Sequence, residues 1–357
     1  MALLIDGGRI PPRWAEKKGL ASIMSGVPYE PSSQGVRIAL VNNMPDAALE
    51  DTEMQFLELL DTASGDMPVR LSLHSLPGVP RGERGKQHLE KHYFDLQDLW
   101  HRRIDALIVT GTEPRQPDLR QEPYWQELTE VLDWAEDHTA STVLSCLAAH
   151  AGVLHSDGVQ RQPLSDKRFG VFESAGLVSH ELTRHAARPM RFPHSRWNEV
   201  REESLMACGY SILTSSPQAG ADLFVKRKKN SLFVHFQGHP EYGSQTLLKE
   251  YRRDIKRFLR QERPTYPTMP YGYFDRATER LLVNFQESAL AHPREEQMLY
   301  FPESLVADSL QNAWGASAVT IYCNWLYYVR SRAGEKSAFA AIAQGRRPSV
   351  VASSELV

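Results

Sequence analysis

The sequence is poor in cysteine. Its 357 residues include three, Cys146, Cys208 and Cys323, odd in number and widely spaced. They form no CxxC pair, no zinc-finger spacing and no disulfide framework, which points to a reducing compartment and a cytoplasmic protein. Long apolar runs are also missing. The opening "MALLI" supplies five apolar residues before Asp6, too few for the core of a signal peptide. The longest apolar stretch, "ASAVTIYCNWLYYV", is too short to span a membrane and carries Asn324 inside it. Charge of one sign is scarce as well: the formal net charge of -3 gives no global electrostatic case for nucleic acid or an anionic membrane. There is no phosphate loop, dinucleotide fingerprint, metal triad or internal repeat, so neither metal nor bound cofactor is expected.

What is present is ordinary for a globular protein, with 24% charged and 41% hydrophobic residues. The length suits one large domain or two modest ones. Residues 1–35 are rich in Pro, Gly and Ser without a period and read as an irregular N-terminal arm. From Val36 strands and helices alternate. "VRIALV" reads as a buried strand, and the helix after "NNMPDAALED" carries Phe56, Leu57 and Leu60 on one face. "VRLSLHSL", "IDALIVTG" and "STVLS" read as further strands. A surface helix is expected within Arg81–Arg103, and another over Pro123–Asp137 with Trp125, Leu128 and Leu132 at helical spacing. This alternation predicts an α/β layer with a parallel sheet. "DLFVKRKKNSLFVHFQGHPEYG" predicts a hairpin with Lys226–Lys229 as its solvated tip, and Ser244–Arg260 a long amphipathic helix. Beyond Gln261 Pro and Tyr punctuate the chain, and the final "SVVASSELV" is expected to fray.

The stretch "TVLSCLAAHAG", Thr142–Gly152, puts Cys146 where a strand gives way to a helix. A helix N-terminus favours thiolate over thiol, and its free N–H groups can hold a developing oxyanion, with that of Leu147 the candidate donor. Such an elbow tolerates only small neighbours, which Ala148 and Ala149 provide. The alternative is a small buried hydrophobe, as free cysteines often are. A nucleophile needs a base and the base an orienter. In "GHPEYG", His239 and Glu241 stand two apart and share a side if the chain there is extended. A surface His and Glu in a loop is the plainer reading of that segment alone. His150, four residues after Cys146 on the same helix face, is a rival partner. His235, inside the hairpin strand, has no assigned role, and Cys208 and Cys323 sit in apolar surroundings suited to structural residues. Arg253 is a candidate for a substrate carboxylate.

"VNNMP", "ALIVTG", "YWQELTEVLDWAEDHTASTVLSCLAAHAGV", "DKRFGVFE", "PHSRW", "GHPEYGSQTLLKEYRRD", "YGYF" and "NWLYYV" occur in the order found in the homoserine O-acyltransferases of the homoserine transsuccinylase family, and the chain resembles them from about Val36 to Arg330. The resemblance implies a class I glutamine amidotransferase-like (flavodoxin-like) three-layer α/β fold. The division it suggests is an arm at 1–35, an acyltransferase core at 36–262 and a C-terminal helical extension at 263–357 packing on the core. It implies ping-pong transfer of a succinyl group from acyl-CoA to the hydroxyl of L-homoserine, in methionine biosynthesis, by a homodimer with no cofactor beyond the acyl-CoA co-substrate. It places the nucleophile at Cys146, the base at His239 and its partner at Glu241, with homoserine bound by Lys167, Ser195 and Arg253. It also implies that Arg115, four residues after Gly111, stands where the family selects its donor: Gly there accompanies succinyl-CoA and Glu acetyl-CoA, and Arg could pair with a succinyl carboxylate or equally turn outward into solvent. The chain departs from the family pattern at Arg115, in lacking the usual lysine after "NxMP", and in a longer segment between Tyr273 and Asn324. The same machinery could serve an acetyl donor, a serine-like acceptor or a glutaminase-like amidase.

Overall fold

Short apolar runs that must be buried on both faces build the centre of the protein. The computed structural model describes residues 3–19 and 35–343, with side chains described up to residue 333. Its strands are β1 (Leu3–Ile5), β2 (Val36–Val41), β3 (Val69–His74), β4 (Ala106–Val109), β5 (Ser141–Ser145), β6 (Gln162–Gly176), β7 (Met190–Glu199), β8 (Ser211–Ile212), β9 (Thr214–Ser216), β10 (Gly220–Ala221), β11 (Leu223–Lys228) and β12 (Ser231–Phe236). An eight-stranded sheet runs in the order β1-β3-β2-β4-β5-β12-β11-β8, and β6, β7, β9 and β10 form a smaller antiparallel sheet. The pairs from β1 to β12 are parallel, whereas β11 and β8 add antiparallel. Parallel strands buried on both faces read as continuous apolar runs, as "VRIALV" and "ALIV" do.

The helices are α1 (Pro12–Lys17), α2 (Asp46–Ser64), α3 (Glu83–His92), α4 (Leu96–His101), α5 (Trp125–His138), α6 (Leu147–Asp157), α7 (Glu202–Ala207), α8 (Thr246–Leu259), α9 (Arg276–Ala291), α10 (Glu303–Ser309) and α11 (Gly315–Ala343). One face of the sheet, with Ile38, Leu40 and Leu71, packs on Phe56 and Leu57 of α2 and on Tyr322 and Trp325 of α11. The other, with Ala39, Val41 and Leu107, packs on Leu128 and Leu132 of α5 and on Ala148 and Leu154 of α6. Helix, sheet and helix make the expected three-layer α/β fold. A third core joins α8, α9 and Trp314 beneath the small sheet.

Three local readings need correction. The expected irregular arm contains β1, which pairs Leu3 to Val69 at the sheet edge, and α1, whose Trp14 is buried; residues 20–34 lie outside the described residues. The Arg81–Arg103 segment forms two helices, because buried Tyr93 breaks it: its hydroxyl donates to Glu53 (2.9 Å) and accepts from Asn42 (3.0 Å). The hairpin tip is tied down by Lys226–Asp157 (2.5 Å), Lys228–Glu136 (3.6 Å) and Lys229–Asp137 (2.9 Å). The "VNNMP" motif has a physical reason at the strand ends. Asn43 N donates to Thr110 Oγ1 (2.8 Å) and the Asn43 Oδ1 accepts from Leu76 N (3.1 Å), bracing the ends of β2, β3 and β4. The expected frayed end, Ser349–Val357, lies outside the described residues.

Candidate active site

The register of two neighbouring strands sets the site. β5 and β12 run parallel with Ser145 level with Phe236, so the residues that follow each emerge side by side at the carboxyl edge of the sheet. Cys146 comes first after β5 and has φ 50° and ψ -107° before α6 begins at Leu147. A positive φ is strained for any residue but glycine, and such strain is held at functional turns. The surroundings hold it here. Cys146 N donates to Phe236 O (2.8 Å), and Ala148 and Ala149 are buried against the sheet. The N–H of Leu147, in the first turn of α6, has no acceptor within the helix. Gly111, after β4, lies against it: a Cβ there would sit 2.8 Å from Leu147 Cβ and 3.0 Å from Leu147 N. Only glycine permits that approach.

His239 and Glu241 meet by a turn rather than by the extended chain expected. Gly238 N donates to Asp222 Oδ1 (2.8 Å), His239 N to Pro193 O (2.8 Å) and Tyr242 N to His239 O (3.1 Å). The bend brings His239 Nδ1–H to Glu241 Oε1 at 2.9 Å, and the same oxygen accepts from Ser145 Oγ at 2.9 Å. Both residues are buried. Burial works against the imidazolium, but Cys146 and Glu241 outweigh it and hold the His239 pKa well above 6.5. The Tyr242 ring stacks on the imidazole with centroids 4.2 Å apart. His150 is no partner for the sulfur. Its Nε2–H donates to Gln237 Oε1 (3.0 Å), an oxygen that also accepts from Val200 N (2.8 Å), and burial lowers its pKa to about 3. His235 is likewise buried, stacked on Phe224.

Lys167, Ser195 and Arg253 converge on two carboxylates of α8. Lys167 Nζ lies 3.1 Å from Asp254 Oδ2 and 3.5 Å from Glu250 Oε2; Ser195 Oγ donates to Glu250 Oε2. Arg253 Nε donates to Asp254 Oδ1 (3.1 Å), and its side chain remains half-exposed. Tyr242 OH donates to Glu250 Oε1 (2.8 Å), so one carboxylate links this cluster to the ring stacked on His239. Sequence reasoning missed Glu250, Asp254, Tyr242 and Gly111. Arg115 stands apart: its side chain is exposed and makes no hydrogen bond or ion pair among the described residues, while its backbone N–H donates to Glu122 Oε1 (2.5 Å). Cys208 and Cys323 are partly buried against apolar clusters.

Residues 17–334 match the family described as homoserine O-succinyltransferase. The chain belongs to the homoserine O-succinyltransferase family. It is 44% identical over 296 residues to the homoserine O-succinyltransferase of Rhodopseudomonas palustris, covering 83% of this chain and 89% of that one. To that of Methylorubrum extorquens it is 41% identical over 306 residues, covering 85% and 90%. As a member of this family the chain is an acyltransferase. Among solved structures, a glutamine amidotransferase from Thermotoga maritima is 10% identical with a TM-score of 0.43, covering 82% of this chain and 98% of that one. In this homoserine O-succinyltransferase family member the three-layer α/β fold sets a cysteine elbow after β5 and a His–Glu pair after β12. No helix among the described residues is long and apolar enough to cross a membrane, and no group of His, Cys, Asp and Glu there could hold a metal ion.

Proposed function

We propose that the protein moves a succinyl group from succinyl-CoA to the hydroxyl of L-homoserine through a thioester on Cys146. The observation that carries this is the buried His239–Glu241 pair set against a strained cysteine elbow in a member of this family. Nε2 of His239 takes the proton from Cys146 Sγ, and the thiolate attacks the acyl-CoA carbonyl. The oxyanion gathers negative charge facing the Leu147 N–H at the start of α6. Collapse breaks the carbon–sulfur bond to CoA, and His239 returns its proton to the departing CoA thiolate. The acceptor hydroxyl then gives its proton to His239 as it attacks the acyl-cysteine, and the Cys146 thiolate leaves and is reprotonated by His239. Exchange of one thioester for another is nearly isoenergetic, and the final transfer to oxygen makes an ester.

Lys167, Ser195 and Arg253 hold the amino-acid acceptor in this reading. The half-exposed guanidinium of Arg253 suits the α-carboxylate, and Ser195 and Lys167 offer donors from β7 and β6. The donor-selecting segment is the loop from Gly111 to Glu122, which includes Arg115. The reading carries with it a cytoplasmic homodimer in methionine biosynthesis, with acyl-CoA and homoserine as its only small-molecule partners and no bound cofactor. Intact-protein mass spectrometry after mixing with succinyl-CoA alone tests it. Wild type should gain one succinyl mass on Cys146, discharged by homoserine, and Cys146→Ala should gain none. A Cys146→Ala protein with full transferase activity refutes the mechanism.

A further inference from the structure

Resting on the thioester reading, we propose that Arg161 reads the acyl donor by taking the terminal carboxylate of a dicarboxylic acyl chain. Arg161 lies between α6 and β6 on the wall of a cavity of about 270 Å³, with Pro117, Leu119, Leu154, Pro163 and Asn198. One terminal nitrogen, Nη2, donates to Gln116 O (3.4 Å) and Pro117 O (3.1 Å), in the loop that begins at the elbow with Gly111. Its Nε and Nη1 make no hydrogen bond among the described residues, and no carboxylate there pairs with it. Neither acidic neighbour forms an ion pair with it among the described residues: Asp118 binds Arg120 (2.8 Å), and Glu122 Oε1 accepts from the amides of Arg115 (2.5 Å) and Gln116 (2.6 Å) while its Oε2 is buried without a hydrogen-bond partner. The half-buried guanidinium keeps these donors for an anion that enters the cavity.

The position fits the acyl chain. Through Gln116 O and Pro117 O, Arg161 grips the loop whose first residue, Gly111, lies against Leu147 of the elbow, and burial, which lowers its pKa, is opposed by Tyr124, Glu122, Cys146 and Asp118. Leu119, Leu154, Pro117 and Pro163 offer apolar wall to methylenes, and the Asn198 amide, which makes no side-chain hydrogen bond among the described residues, stands beside the guanidinium. Arg196, on β7, is already committed. Its donors go to His194 Nδ1 (3.3 Å), Asn198 O (2.8 Å) and Ala219 O (2.5 Å). Arg115, whose side chain is exposed, acts on donor choice through the loop whose next two carbonyls Arg161 grips.

The test compares succinyl-CoA with butyryl-CoA, a donor of equal chain length without the carboxylate, in wild type, Arg161→Gln and Arg161→Lys with saturating homoserine. The ratio of kcat/KM for succinyl over butyryl should fall about 10- to 100-fold in Arg161→Gln, the range of a charge-assisted hydrogen bond, and recover in part in Arg161→Lys. Arg115→Gln should lower it less than Arg161→Gln. An unchanged ratio overturns the proposal, and so does an equal fall for both donors, which would place Arg161 on the shared CoA moiety. Acyl-enzyme masses from the same samples keep the two readings apart. An adduct on Cys146 with an unchanged ratio sinks the role of Arg161 alone, whereas wild type with no adduct from either donor sinks the thioester reading and this role with it.

Discussion

Replacing Glu241 with Gln keeps the shape of the orienter and removes its charge. Glu241 Oε1 takes the His239 Nδ1–H at 2.9 Å, and a glutamine carbonyl can still take it. What is lost is the charge-assisted part of a buried bond, and with both residues buried, water does little to screen it. A hydrogen bond to a charged group is worth about 1.5–3 kcal/mol, and about 1.4 kcal/mol is tenfold in rate, so acylation should slow about 10- to 100-fold. The new amide NH2 falls where Glu241 Oε2 sits, buried without a hydrogen-bond partner, which costs about 1–3 kcal/mol of stability. The pH profile gives the sharper sign. Glu241 is one of the groups that hold the His239 pKa up, so its neutralisation lets that pKa fall. The protonated imidazole that must hand its proton to the leaving CoA is then lost at lower pH, and the basic limb of acylation moves down. Rapid-quench mass spectrometry of acyl-Cys146 in a single turnover, run across pH, measures both effects. A folded Glu241→Gln enzyme with wild-type acylation and an unmoved basic limb refutes the orienter role.

Gly111→Ala places a methyl 2.8 Å from Leu147 Cβ and 3.0 Å from Leu147 N, and the elbow must move to admit it. A misplacement of about 1 Å near the chemistry can cost about 100-fold, so kcat should fall at least about tenfold with the far-ultraviolet dichroism unchanged; wild-type kcat would show that the elbow is not fixed by this contact. His150→Asn tests the buried neutral histidine. The folded pKa of His150 is about 3, against about 6.5 unfolded, so the unfolded state binds the extra proton between these values and wild-type stability falls with acidity there. Urea melts from pH 6.5 to 5 should show a slope shallower by about 1 kcal/mol per pH unit in His150→Asn, and parallel slopes would contradict a buried neutral ring.

The parallel core was legible because its strands are buried on both faces and spell themselves as β-branched runs. Cys146 was legible because a strand-to-helix junction followed by small residues is local. The edge strand Leu3–Ile5 was not, since its partner is Val69–Leu71 and nothing within three residues foretells that pairing. The turn at His239–Tyr242 escaped for a related reason: it is held by Asp222, between β10 and β11, and by Pro193 of β7. The acceptor cluster shows best where local reading stops. Glu250 and Asp254 stand four apart on α8, flanking its apolar stripe of Leu247, Leu248, Tyr251 and Ile255, and in "KEYRRDIKRF" they look like a solvated salt-bridged face. Yet Asp254 is buried, and the partners of the two carboxylates, Lys167 and Ser195, come from β6 and β7. Carboxylates beside a buried stripe need cations or hydroxyls from elsewhere, and the chain supplies them from the small sheet. The family pattern named those partners without the carboxylates that set their positions. Because Glu250 also holds Tyr242, the ring stacked on His239, the proposed acceptor residues and the proposed catalytic imidazole share one anchor, through which a change at Lys167 or Ser195 should reach His239.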